Sequence, residues 1–199
     1  MSHNLALFIH MAMKGVAAAL VMLMLVPIMA RPAAADIELF GGNPLFEAIK
    51  ANDPKRVEAA FAAAESIEVQ DFDGRSPLIY AALVGSLDIL DILIKRSAKI
   101  NHRDKLGNSA LFYAASQGDT EIGEALLAAG ANKDIENRQG ITPLMTAAKL
   151  GHLDIVQVLL AKGANPDLRD YTGRTALMWA DWNRKSTISR LLRKAGVRE

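Results

Sequence analysis

The sequence predicts an all-α solenoid, a stack of about five 33-residue helix-turn-helix units joined by hairpin-like loops. Three observations carry this. Gly74 returns as Gly107, Gly140 and Gly173, each step 33 residues. Apolar positions keep the same step, as in Leu78/Leu111/Leu144/Leu177, Ala81/Ala114/Ala147/Ala180 and Leu93/Leu126/Leu159/Leu192. Helix start and stop signals also fall at fixed points of the period. A unit this short cannot bury its own apolar face, so the residues that recur are those where neighbouring units pack alike.

Each element follows in order. Ser76, Ser109, Thr142 and Thr175 stand where a first helix begins, and a side-chain oxygen there accepts from an orphan backbone N–H. Pro77 and Pro143 come next, at the helical position that needs no N–H. Gly85, Gly118 and Gly151 end this helix in the left-handed conformation. In the second helix Ile89, Ile122 and Ile155 sit four residues before Leu93, Leu126 and Leu159, which places both on one face. Gly130-Ala131 and Gly163-Ala164 close it, and Asn or Asp residues lead into a tight turn. Gly123 interrupts the second helix where Leu90 and Val156 stand in neighbouring units, and glycine there costs about 1 kcal/mol relative to alanine. Gly123→Ala is therefore expected to stabilise the chain.

The best-kept unit runs Gly140-Ile-Thr-Pro-Leu-Met-Thr-Ala-Ala-Lys-Leu-Gly-His-Leu-Asp-Ile-Val-Gln-Val-Leu-Leu-Ala-Lys-Gly-Ala164 and resembles the ankyrin repeat. The resemblance covers roughly residues 41 to 198. It departs at one position, where ankyrin repeats usually carry His after Thr-Pro-Leu and this chain has Ile79, Phe112, Met145 and Met178. The bond from that His to the Thr is absent, but an apolar side chain packs in its place.

Register gives units 41–73, 74–106, 107–139, 140–172 and 173–199. The end units are atypical. In the first, Asn52 replaces the helix-ending Gly and the stretch Ala59 to Glu65 matches weakly. In the last, Asp181 replaces the small residue of Ala82, Ala115 and Ala148, and Arg184 replaces the Gly. A charge at that seam suits a terminal cap, so the array is expected to be complete within the chain.

Residues 1–35 lie outside the period. They hold no acidic residue; Lys14 precedes the apolar run Gly15 to Ala30, and Ala33-Ala34-Ala35 offers an Ala-x-Ala cleavage site. That order is the three-part form of a secretory signal peptide, with cleavage after Ala35 and the repeat domain spanning 36–199. The compact form points to export into a bacterial periplasm. The alternative is an uncleaved anchor, with a continuous helix from Leu5 to Met29 crossing the bilayer.

Lys14 and Arg31 are the only charged residues before Asp36, so the remainder carries 21 basic against 22 acidic residues, a net charge of −1. No global field recruits nucleic acid. The chain has no cysteine, which excludes disulfides and zinc sites built on Cys. After the signal only His102 and His152 remain, 50 residues apart. His152 falls in the Gly-His pair of the ankyrin pattern and reads as structural, while His102 reads as a solvated loop residue. Asp71, Asp73, Asp104 and Asp170 recur in turns, where Asx side chains bond nearby backbone. These features predict no catalytic residue, no metal and no cofactor.

The resemblance implies a protein-binding module whose turn tips and exposed first-helix ends form a concave surface. By register these positions are Phe72, Arg75, Leu83 and Val84; Lys105, Leu106, Asn108, Ser116 and Gln117; Arg138, Gln139, Ile141, Lys149 and Leu150; Tyr171, Arg174, Trp182 and Asn183. Aromatic residues and arginine dominate interface energetics, so the expected partner-binding set is Lys105, Arg138, Gln139, Lys149, Tyr171, Arg174 and Trp182. The expected partner is a protein rather than a nucleic acid or small-molecule substrate, and the chain is expected to be a monomer. Uses implied by exported ankyrin-like proteins include neutralising a toxic effector and supporting an envelope enzyme, such as one of oxidative-stress defence. The competing classes are an envelope-tethered scaffold that keeps its signal and a hydrolase built on divergent loops. A basic C-terminal stretch, Arg184, Lys185, Arg190, Arg193, Lys194 and Arg198, reads first as a solvated helix end favoured by the helix dipole. Its rival reading is contact with anionic lipid headgroups.

Mass analysis of the protein recovered from outside the cytoplasm is expected to give an N-terminus at Asp36. A full-length, membrane-embedded species would establish the anchor instead.

Overall fold

The computed structural model describes residues 42–63 and 66–196. The signal segment 1–35, its cleavage site, Glu65 and Arg198 lie outside the described residues. The unit from Pro44 to Glu199 holds ten described α-helices, two per repeat. The inner helices are α1 (Pro44–Lys50), α3 (Pro77–Val84), α5 (Ala110–Gln117), α7 (Pro143–Leu150) and α9 (Ala176–Trp182). The outer helices are α2 (Pro54–Ala62), α4 (Leu87–Lys95), α6 (Thr120–Ala128), α8 (Leu153–Ala161) and α10 (Ser186–Lys194). Each inner helix packs on the inner helices before and after it and on its own outer helix, and the outer helices form a second, looser stack. The hairpin-like loops are turns; no strand occurs among the described residues.

The start signals act as the sequence predicts. Ser76, Ser109, Thr142 and Thr175 accept from the backbone N–H of Ile79, Phe112, Met145 and Met178 at 3.2–3.4 Å. The hydroxyl thus caps its helix without the histidine that ankyrin repeats usually place there, and Ile79 and Met145 are buried in its stead. Gly85, Gly118 and Gly151 all take positive φ at the helix ends. Where the period lacks glycine, Asn52 (φ 50°) and Arg184 (φ 57°) adopt the same left-handed turn. Ser97 (φ 63°) does so at the end of α4, where later repeats have Gly130 and Gly163, at the steric cost a β-carbon carries in that region.

The core is one continuous seam of recurring residues. Leu78, Leu111, Leu144 and Leu177, Ile89, Ile122 and Ile155, and Leu93, Leu126, Leu159 and Leu192 are all buried. Each such side chain contributes about 2 kcal/mol by leaving water. Ala81, Ala114, Ala147 and Ala180 are fully buried, as are Ala82, Ala115 and Ala148. Asp181, which succeeds that second alanine row, is exposed and pairs with Arg193 at 2.7 Å.

Side chains also reach back to satisfy the repeat before. Gln117 Nε2 donates to the carbonyls of Ala82 and Leu83 (3.2 and 3.0 Å), two acceptors left over at the end of α3. His152 Nε2 lies 3.0 Å from the Ser116 carbonyl at the end of α5, the structural role expected of it. His102 departs from expectation. It is half-buried, with Nε2 2.8 Å from the Gly74 carbonyl, so it links two loops rather than standing in solvent. Along another edge, Asn101 Oδ1 accepts from Asn132 N at 2.7 Å and Asp134 Oδ1 from Asn165 N at 2.8 Å.

Gly123 has a packing reason that the period alone does not reveal. A β-carbon there would lie 2.8 Å from Cδ1 of Ile155, a fully buried residue of the next outer helix. The helix-propensity gain of about 1 kcal/mol is thus opposed by a displaced core methyl. Gly123→Ala is expected to give no rise in melting temperature in the native background. In an Ile155→Val background, which removes that methyl, the same change is expected to stabilise by about 1 kcal/mol. Equal stabilisation in both backgrounds would show that the methyl moves aside freely.

Candidate interaction face

Each turn tip is built around one Asx residue. Asp71, Asp104, Asn137 and Asp170 use Oδ1 to accept from the backbone N–H two and four residues on, at 2.8–3.0 Å in every case. This self-bonding fixes the tip without help from the core. Successive tips then bond to one another: Lys105 N donates to Asp73 O, Arg138 N to Leu106 O and Tyr171 N to Gln139 O, at 2.8–3.0 Å. The row expected from register is therefore tied together by backbone. Its close approach leaves no room for side chains beneath: a β-carbon on Gly140 (φ 74°) would lie 2.6 Å from the Tyr171 ring.

This scaffold sorts the register positions. Lys105 is exposed, but its ammonium donates to the Phe72 carbonyl of the previous tip, and it lies apart from the cleft described below. Asn108 is no surface residue. It is buried, accepting from Asn137 Nδ2 at 3.1 Å and donating to Tyr113 Oη at 3.3 Å. Tyr113 in turn donates to Asp104 Oδ2 at 2.6 Å; burial first, then this carboxylate, pushes its hydroxyl pKa up. Arg75 pairs with Asp73 at 3.0 Å, and Gln117 serves the helix end of the preceding repeat.

Five of the seven expected binding residues come together. Arg138, Gln139, Lys149, Tyr171 and Arg174 line one cleft of about 400 Å³ between the fourth and fifth repeats, with Ile141, Asp170, Thr172 and Trp179. Trp182 stands beside it, 73% exposed. Arg174 joins the two indoles, its guanidinium 5.1 Å from the centroid of Trp179 and 5.1 Å from that of Trp182. Lys149 Nζ lies 4.5 Å from the Trp179 centroid.

Sequence reasoning missed Trp179 and the buried role of Asp170. The signal was present: position 80 of the second unit recurs as Tyr113, Thr146 and Trp179, an aromatic series broken once. Trp179 Nε1 donates to Asp170 Oδ2 at 2.8 Å, as Tyr113 does to Asp104. Asp170 also accepts from Thr172 Oγ1 at 2.6 Å. Burial by itself would raise the Asp170 pKa, but the bonds from Thr172, the Arg174 backbone and Trp179 outweigh it and hold the carboxyl below its ordinary value.

A depressed carboxyl stabilises the fold at pH values above the unfolded pKa, and that contribution is lost as pH falls through the lower folded value. Asp170→Asn is expected to cost about 1–3 kcal/mol at pH 7, since an amide cannot accept from both sides. The gap to the native protein should narrow below about pH 4. Thermal melts at pH 7 and pH 3 check this; a pH-independent gap would remove the charge from the account.

Among the described residues no three metal-ligating side chains converge, and no helix is long and apolar enough to cross a membrane. In α10, Arg190 and Lys194 border a shallow groove of about 200 Å³ with Leu153, Gln157, Thr187 and Leu191. Arg193 is tied to Asp181, and a β-carbon on Gly151 would lie 2.9 Å from the Lys185 stem.

No curated protein matches the chain. The family model described as ankyrin repeats (3 copies) matches residues 8–104, 45–137 and 111–198. Ankyrin repeats generally mediate protein–protein interaction and are typically not enzymes. With a 33-residue period, paired helices, Asx-built tips and a family match over most of its length, the chain belongs to the ankyrin repeat family.

Proposed function

We propose that the array binds a protein partner through the face made by its turn tips and inner-helix ends, acting in the periplasm as a non-enzymatic module after loss of residues 1–35. One observation carries the binding face. Among the described residues the exposed large hydrophobics are Phe72, Val84, Leu87, Leu106, Leu150, Tyr171 and Trp182. All but Leu87 lie at the tips or at the last turn of an inner helix. Apolar surface gathered on one face and rimmed by Arg138, Lys149 and Arg174 is the composition of an interface. The form of the N-terminal sequence supports the location, and the family's usual role supports the absence of catalysis.

The test places a photo-crosslinking residue at Leu106, at Trp182 or at exposed Glu121 on the outer helix α6. Adducts with one envelope protein are expected from the first two positions and not from the third. Combined Arg138→Ala and Tyr171→Ala is expected to weaken that partner at least about tenfold. Both side chains are exposed, so the melting temperature should hardly move. Adducts from Glu121 alone, or unchanged affinity in a folded double variant, would move the interface to the outer helices.

A further inference from the structure

We propose that the cleft between the fourth and fifth repeats is a receptor for carboxylate side chains, so that the partner segment it takes is an acidic stretch of polypeptide bearing apolar neighbours. The inference rests on the binding face argued above and adds the chemistry of what that face accepts.

Three cations, Arg138, Lys149 and Arg174, line the cleft. Among the described residues no carboxylate stands within ion-pair distance of any of them, although other exposed cations such as Lys50, Arg96 and Lys99 have such partners. The one acid in the lining, Asp170, is turned away from that duty. Its residue is buried, Oδ1 accepts from Thr172 N, Thr172 Oγ1 and Arg174 N, and Oδ2 accepts from Trp179 Nε1. Its carboxylate thereby stiffens the wall without meeting the three cations.

Lys149 and Arg174 both rest against the Trp179 ring, and two like charges held on one indole repel. An anion between them relieves that repulsion. Low-dielectric aromatic walls strengthen its attraction relative to open water. Arg174 is also preorganised, stacked on Trp179 and Trp182 with Nη1 on Thr172 Oγ1 at 2.8 Å. The exposed faces of Trp182 and Tyr171 offer apolar contact on either side, which favours a carboxylate carried on a peptide over a free small anion. A nucleic-acid backbone fits less well. Its affinity comes from many phosphate contacts, whereas beyond this cleft the tip row holds Asp73 and a Lys105 already bonded to a carbonyl.

The chain has two tryptophans, Trp179 in the cleft and Trp182 beside it, so their fluorescence reports occupancy directly. The exported protein is titrated with a capped hexapeptide of alternating glutamate and leucine, with its glutamine and lysine counterparts, and with oligothymidylate. Saturable quenching or a spectral shift is expected for the glutamate peptide alone, weakening at least tenfold between low and high salt. Arg138→Gln combined with Lys149→Gln leaves both indoles in place and is expected to weaken the glutamate peptide at least tenfold, with an unaltered melting temperature. Equal response to the glutamine peptide, tighter binding of oligothymidylate, or no response to any probe would overturn the proposal. If the crosslinked partner maps to Leu106 and Trp182 while the glutamate peptide fails, the binding face stands and only its acidic preference falls.

Discussion

Neighbouring repeats meet through alanine. Ala81, Ala114, Ala147 and Ala180, with Ala82, Ala115 and Ala148, are buried without remainder between successive inner helices. A methyl group is the largest side chain that lets two backbones come this close while still excluding water, and close packing makes any larger substituent felt at once. The packing of the described helices follows from that spacing. The leucine and isoleucine rows can interdigitate only at the distance the alanines set, and the loops above them come within backbone hydrogen-bonding reach of one another only for the same reason.

The tips turn that spacing into a surface. Because each Asx holds its own turn, a tip does not need the core to shape it, and because each tip donates a backbone bond to the previous one, it cannot drift along the stack. The side chains at 72, 105, 138 and 171 are therefore free to vary without altering the backbone that carries them. Phe72 and Tyr171 are aromatic and Lys105 and Arg138 cationic, yet their turns close with the same bonds. Separation of a constant scaffold from a variable row is what lets a repeat array specialise at a small energetic cost.

The division between constant and variable also explains what was legible in the sequence. Helix starts, glycine-ended helices and the buried rows could be read because several residue types keep a 33-residue step together. Five of the seven expected site residues line one cleft for the same reason, since tip and helix-end positions are fixed by register. What could not be read were contacts that depend on a side chain's depth. Asn108 shares a register position with exposed-face residues, but its amide is drawn inward by Asn137 and Tyr113. His102 looked like a loop residue until the Gly74 carbonyl came within reach. Gly123 looked like a helix defect, and the methyl of Ile155 that opposes its replacement belongs to a residue 32 positions away.

The cleft arises where the aromatic series at position 80 and its equivalents changes character. Tyr113 spends its hydroxyl on Asp104 of the turn that leads into its repeat, and Trp179 does the same for Asp170 with an indole N–H. Between them the fourth repeat has Thr146, a small buried residue, and the turn that leads into it has an Asn rather than an Asp. Asn137 accordingly bonds sideways to Asn108 and carries no charge to the tip. At positions 137 and 146 the period thus lacks the carboxylate and the aromatic side chain that the neighbouring registers carry. Arg138, Lys149 and Arg174 line the site with no ion-pair partner among the described residues, and the indole of the fifth repeat forms its wall. The three cations of the cleft thus stand next to the point where the repeat pattern lapses, at Asn137 and Thr146.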